Sequence, residues 1–140
     1  MNKEQAYVRA AKVLFYGSLD EPYALKKAII TTRENSDLDQ LSLIHDLLEK
    51  KQNPQVHIHA KGLEEGHLEV QNNLRLDYWR EFRFNSGPES FFPILYKWIG
   101  GFEDSDIKEL LNLSQGTLTM RYNSGLISLG GYLVKGVSGE

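Results

Sequence analysis

Apolar residues recur at helical steps through the first third of this chain, and the places where the step breaks mark its elements. Ala6, Ala10, Val13 and Leu14 share one face of a helix over residues 3–16, for which Gly17 supplies the stop. Pro22 suits the first turn of a second helix, and Tyr23, Leu25, Ala28, Ile29 and Ile30 carry it until Asn35-Ser36 interrupts. Ser36 then caps a third helix, with Asp39 three residues on as a relative of the capping box. Leu38, Leu41, Ile44, Leu47 and Leu48 form its apolar stripe. Lys50 and Lys51 complement the dipole at its C-terminus, and Asn53-Pro54 ends it.

From Gln55 the period changes. Val56, Ile58 and Ala60 alternate with His57, His59 and Lys61, while Gly62 and Gly66 offer turns before Leu68 and Val70, a pattern that fits a small β-hairpin. The stretch from Leu74 to Phe84 fits both periods and stays open between helix and strand: Leu74, Leu76 and Tyr78 alternate, yet Arg75, Tyr78 and Phe82 lie at helical steps. Asn85-Ser86-Gly87-Pro88 is the clearest punctuation, and it divides an N-terminal helical part, residues 1–84, from a C-terminal module, residues 88–134. Past it, Phe91, Phe92, Leu95, Trp98 and Ile99 make an apolar helix that Pro93 begins or kinks and Gly100-Gly101 closes.

The most informative pattern follows. Glu103 to Leu111 reads as a short helix with Ile107, Leu110 and Leu111 inward, and Asn112-Leu113-Ser114 as a three-residue turn. Ser114 caps a longer helix whose one face carries Leu118, Tyr122, Gly125, Leu129 and Tyr132, the small Gly125 permitting close approach to a neighbour. Two short helices joined by a tight turn define a helix-turn-helix. The run from Asp106 to Leu129 resembles region 4 of RNA polymerase sigma factors of the sigma-70 family, especially the compact extracytoplasmic-function members. Asp106-Ile107, Leu111, Ser114, Gly116, Thr117, Leu118, Arg121 and Leu129 match that pattern in order and spacing, and Trp98 and Gly101 fit its lead-in helix.

The resemblance implies a fold and a job. The fold class expected is mainly α: an N-terminal helical part with room for the hairpin, then a helix-turn-helix of sigma region 4 type. The job expected is that of a transcription factor or sigma-like regulator engaging promoter DNA, RNA polymerase or both, the second helix lying in the major groove. Ser114, Gln115, Thr117, Thr119, Arg121 and Asn123 are the candidates for base and phosphate contact.

Charge changes this picture. Phosphate neutralisation supplies much of the affinity of such modules, yet Arg121 is the only cation on the second helix up to Tyr132, and residues 101–140 hold three cations against five acids, a net charge of −2. The face opposite Leu118 and Tyr122 presents Gly116, Thr119, Met120, Asn123, Ser124 and Ile127, neutral and partly apolar. Met120 and Ile127 on such a surface suit a protein partner better than a phosphate backbone. Nothing in residues 1–84 resembles sigma region 2. The alternative function is therefore a protein-interaction module, a sigma mimic or adaptor that leaves DNA alone.

Composition sets the remaining bounds. The 140 residues are 41% hydrophobic and 25% charged with a net charge of −3, an ordinary globular balance that argues against a broadly basic nucleic-acid coat. The absence of cysteine excludes disulfides and thiol catalysis and agrees with a reducing cytoplasm. No apolar run approaches the roughly 20 residues that span a bilayer, and the N-terminus carries an acid and no cleavage-like site. The expectation is a cytoplasmic protein without membrane contact.

Weaker signals carry less. His57, His59 and His67 have the residue type of metal ligands but no fourth partner at ligand spacing, and they read as a polar stripe with no metal expected. Arg75, Arg80 and Arg83 interleave with Tyr78, Trp79, Phe82 and Phe84, a mix that stacks bases; the plainer reading is core aromatics with arginines at the rim. No phosphate loop, nucleophile elbow or acid pair stands out, so neither an enzyme nor a cofactor is expected.

Overall fold

The computed structural model describes residues 2–51 and 76–137, with side chains described through residue 131. The stretch read as a hairpin, with its three histidines, and Arg75 lie outside the described residues. The described residues form seven α-helices and no strand: α1 (Lys3–Ser18), α2 (Glu21–Thr31), α3 (Asp37–Lys50), α4 (Leu76–Asn85), α5 (Pro88–Ile94), α6 (Asp104–Leu111) and α7 (Gln115–Val137). A π turn, Leu95–Ile99, continues directly from α5. No described helix is long and apolar enough to cross a membrane.

Local chemistry starts most of these helices. Asn2 caps α1 in a full capping box with Gln5, Asp20 caps α2 ahead of Pro22, and the Ser36 hydroxyl accepts the Asp39 N–H at 3.1 Å to begin α3. Gly17 is not the stop it resembles. It lies inside α1, where an added Cβ would come within 2.7 Å of Leu48 and 3.2 Å of Leu95, so its missing side chain lets α1 press onto α3 and the π turn. The helix ends instead at Leu19, which takes the left-handed conformation (φ 57°) while its side chain is wholly buried. Burial of a leucine side chain offsets the backbone strain that glycine would have avoided.

Leu76 to Asn85 resolves as helix, because Leu76, Trp79 and Phe82 point to one buried side at steps of three. The Trp79 indole N–H donates to the Tyr16 carbonyl at 2.7 Å, and the Arg83 Nε–H donates to the Gly17 carbonyl at 2.7 Å. Trp79 and Phe82 thus belong to the core, Tyr78 is partly buried and Phe84 is 49% exposed, while Arg83 at the rim takes one C-terminal carbonyl of α1.

α1 packs on α2, α3 and the π turn, α3 packs on α6, and α7 packs on α5 and α4. One aromatic chain runs Tyr16, Trp79, Phe91, Phe92, Tyr96, with ring centroids 5.4–5.6 Å apart. It passes across Asn85-Ser86-Gly87-Pro88, and a single hydrophobic core extends from Ala10 to Leu129. The punctuation is a local helix boundary over a continuous interior.

Pro93 sits inside α5, where it cannot donate a backbone hydrogen bond, and the next turn widens. The Gly100 N–H reaches the Leu95 carbonyl, five residues back, at 3.1 Å. This widening takes Trp98 out of the apolar face assigned to it: it stands 49% exposed with its ring edge-on to Tyr122, centroids 5.0 Å apart.

Candidate functional site

Ile107 anchors α6 in the core, and Asn112 ends that helix in the left-handed conformation that asparagine tolerates better than most residues. Its N–H and that of Leu113 both return to the Lys108 carbonyl. Ser114 then begins α7, its hydroxyl oxygen accepting the Thr117 N–H at 3.2 Å. Helix, three-residue turn and helix follow one another where the pattern placed them. Along α7, Leu118, Tyr122, Gly125 and Leu129 are buried. A Cβ on Gly125 would sit 2.5 Å from Ile94 and 3.0 Å from the Ser90 carbonyl, so glycine here sets the close approach of α7 to α5.

A polar clip links the two helices and the π turn. Asp104, at the start of α6, accepts the Tyr122 hydroxyl at 2.8 Å and pairs with Lys97 of the π turn at 3.0 Å. The Tyr122 hydrogen bond, helped by Lys97 and Gln115, outweighs partial burial and holds the Asp104 carboxyl below its ordinary range. The same bond, after burial, pushes the Tyr122 phenol well up. This clip is not legible in the sequence. The acid in the first turn of α6 was visible, but its partners lie on other elements.

The residues named for DNA separate into two sets. Ser114 and Thr117 serve the helix start, since the Ser114 hydroxyl also donates to Thr117 Oγ1 at 3.0 Å. Gln115 donates to Thr119 Oγ1 at 3.2 Å along the same helix. Asn123 is exposed, and Arg121, half-buried on the flank of α7, makes no ion pair among the described residues.

The outward face is what the residues bring together. Gly116, Thr119, Met120, Asn123, Ser124 and Ile127 are all exposed, Met120 at 64% and Ile127 at 77%, and none is charged. α6, the neighbour of this helix, is acidic. Asp104, Asp106 and Glu109 stand on it against the single cation Lys108, and the Asp106 carboxyl is raised above its ordinary range by burial first and then by Asp37, Glu103 and Glu109, with Arg9 opposing. Such surroundings repel a phosphate backbone over a Debye length of about 8 Å. Comparisons of the chain with models of protein families, with characterised proteins and with solved structures find no match.

Proposed function

We propose that α6, the turn and α7 act as a helix-turn-helix that engages a protein of the transcription apparatus, RNA polymerase first, through the outward face of α7. The observation that carries this reading is the pair Met120 and Ile127, both mostly exposed on a face without charge. Large apolar side chains held rigidly on a helix bury favourably against a protein groove and gain little from phosphates. The transcriptional setting rests on the resemblance of residues 106–129 to sigma region 4. The acids beside α7 support the preference for protein over DNA.

Promoter DNA is the second reading, favoured by Arg121, whose guanidinium has no carboxylate partner among the described residues. Purified RNA polymerase and a promoter duplex, each titrated onto the immobilised full chain, separate the two. The protein reading expects Met120→Ser/Ile127→Ser to weaken polymerase binding by about thirtyfold, a hot-spot loss of about 2 kcal/mol, with Arg121→Ala within about twofold. The DNA reading expects the reverse on the duplex, with log affinity falling against log salt by about 0.9 per phosphate neutralised. Equal binding of both variants to both targets removes α7 from the account.

A further inference from the structure

Arg9 is the buried cation of the described core, with 9% of its surface exposed. Its Nη2 donates to Asp37 Oδ1 at 3.0 Å and to Gln40 Oε1, and its guanidinium lies 4.1 Å above the Phe102 ring. Nε has no acceptor. That nitrogen is itself closed off from solvent, so any contact with a ligand falls to the outer end of the guanidinium.

Two hollows flank this side chain. The smaller, about 200 Å³, is lined by Asp37 and Gln40, the residues that already take Nη2. The larger, about 480 Å³, runs between α1 and the corner where the π turn ends, walled by Gln5, Val8, Lys12, Ile99 and Gly100 beside Arg9. That volume is in the range of small-molecule sites, roughly 300–1,000 Å³. Lys12 follows Arg9 by three residues on the same helix face, exposed and without an ion pair among the described residues. Val8 and Ile99 give an apolar wall. Gly100 has no room for a side chain, since a Cβ would come within 2.8 Å of Val13 and Phe102, so that corner is fixed by packing.

The charges select the ligand. Asp37 pairs with Arg9, Asp106 also acts on it, and Glu4 stands at the rim of the larger groove, so the field there suits at most one negative charge. We propose that this groove binds a small organic monocarboxylate, its oxygens on Arg9 and Lys12 and its apolar body along Val8 and Ile99. This site lies on other residues than the outward face of α7 and does not depend on the reading of that face.

Amide chemical shifts of the full chain, followed by NMR while sodium hexanoate or inorganic phosphate is titrated in, test the proposal. Hexanoate should shift Val8, Lys12, Ile99 and Gly100 saturably, and phosphate should leave them near their starting positions. Lys12→Glu, an exposed change with no expected effect on the melting temperature, should weaken hexanoate about tenfold. Ile99→Trp, which fills the groove, should abolish the response, and Arg9→Lys should weaken it if that variant folds. Should Arg9→Lys fail to fold, Lys12→Glu and Ile99→Trp carry the test alone. Non-saturable shifts, an unchanged response in Lys12→Glu, or equal shifts with phosphate would each overturn the monocarboxylate assignment.

Discussion

Several polar side chains of α1–α3 turn inward and tie those helices together, whereas Thr119, Asn123 and Ser124 on the outer face of α7 stand exposed. Gln40 accepts from Arg9 and donates to the Ala6 carbonyl at 3.1 Å and to Thr31 Oγ1 at 3.4 Å, so one buried amide ties three helices together. Tyr23 reaches from α2 to the Leu47 carbonyl at 3.0 Å. On α7 Gln115 bonds to Thr119 along its own helix and to Asp104 at the start of α6, while Asn123 and Ser124 face outward. The first region uses its polar groups to specify the fold, where any loss leaves a partner unsatisfied. The second keeps its inner face for packing, and its outer residues are dispensable to the fold.

That contrast breaks most visibly on the inner face of α7. Leu118 is fully buried, and Leu118→Ala should lower unfolding stability by about 2–5 kcal/mol in urea melts. A loss below about 0.5 kcal/mol would mean that the inner face of α7 packs no better than the outer one. Gly125→Ala comes next. The added methyl meets Ile94 at 2.5 Å and the rigid Ser90 carbonyl at 3.0 Å, so a destabilisation of about 1–3 kcal/mol is expected, where an ordinary helical glycine would gain from alanine.

The interior region has its own pH signature. His45 Nδ1 lies 2.5 Å from the Tyr96 hydroxyl, Nε2 lies 3.4 Å from Glu49, and its ring packs edge-on against Phe92. Burial lowers the His45 imidazole below its ordinary 6.5, opposed only in part by Glu49 and Asp46. The unfolded chain therefore takes up the proton first as pH falls. The stabilisation is complete above about pH 6.5 and is lost as pH drops through and below it. Urea midpoints measured from pH 8 to pH 5 should fall across that window, and His45→Gln should flatten the fall. A profile of equal slope in the variant would assign the pH dependence elsewhere.

The smallest effect belongs to the outer face. Met120→Ser/Ile127→Ser should change stability by less than about 0.5 kcal/mol for each residue, because both side chains already stand mostly in solvent. A larger loss in calorimetry would show that this face is covered within the chain, and the docking reading would fall with it.

Much of the C-terminal pair was legible in the sequence because its signals act within a few residues. Ser114 caps through the N–H three positions on, as Ser36 does for α3, and Asn112 ends α6 through its own backbone conformation. The exposed and buried faces of α7 follow from spacing alone, as does the helical class of the chain. Other features wait on residues far away. Leu74 to Phe84 matches two periods, and from Leu76 on the helical one holds where Trp79 meets Tyr16, 63 positions distant; nothing in the spacing marks Arg9, which Asp37 and Gln40, 28 and 31 positions on, close over. Gly17 lies inside α1 and Leu19 ends it because the crossing with α3 needs the missing side chain and the core needs the leucine. Trp98 turned outward because one widened turn moved it off the buried face. Caps, turns and amphipathic spacing are local free energies that a sequence states directly. Burial of a polar group, a left-handed leucine and the accessible groove beside Arg9 exist only once distant helices have packed.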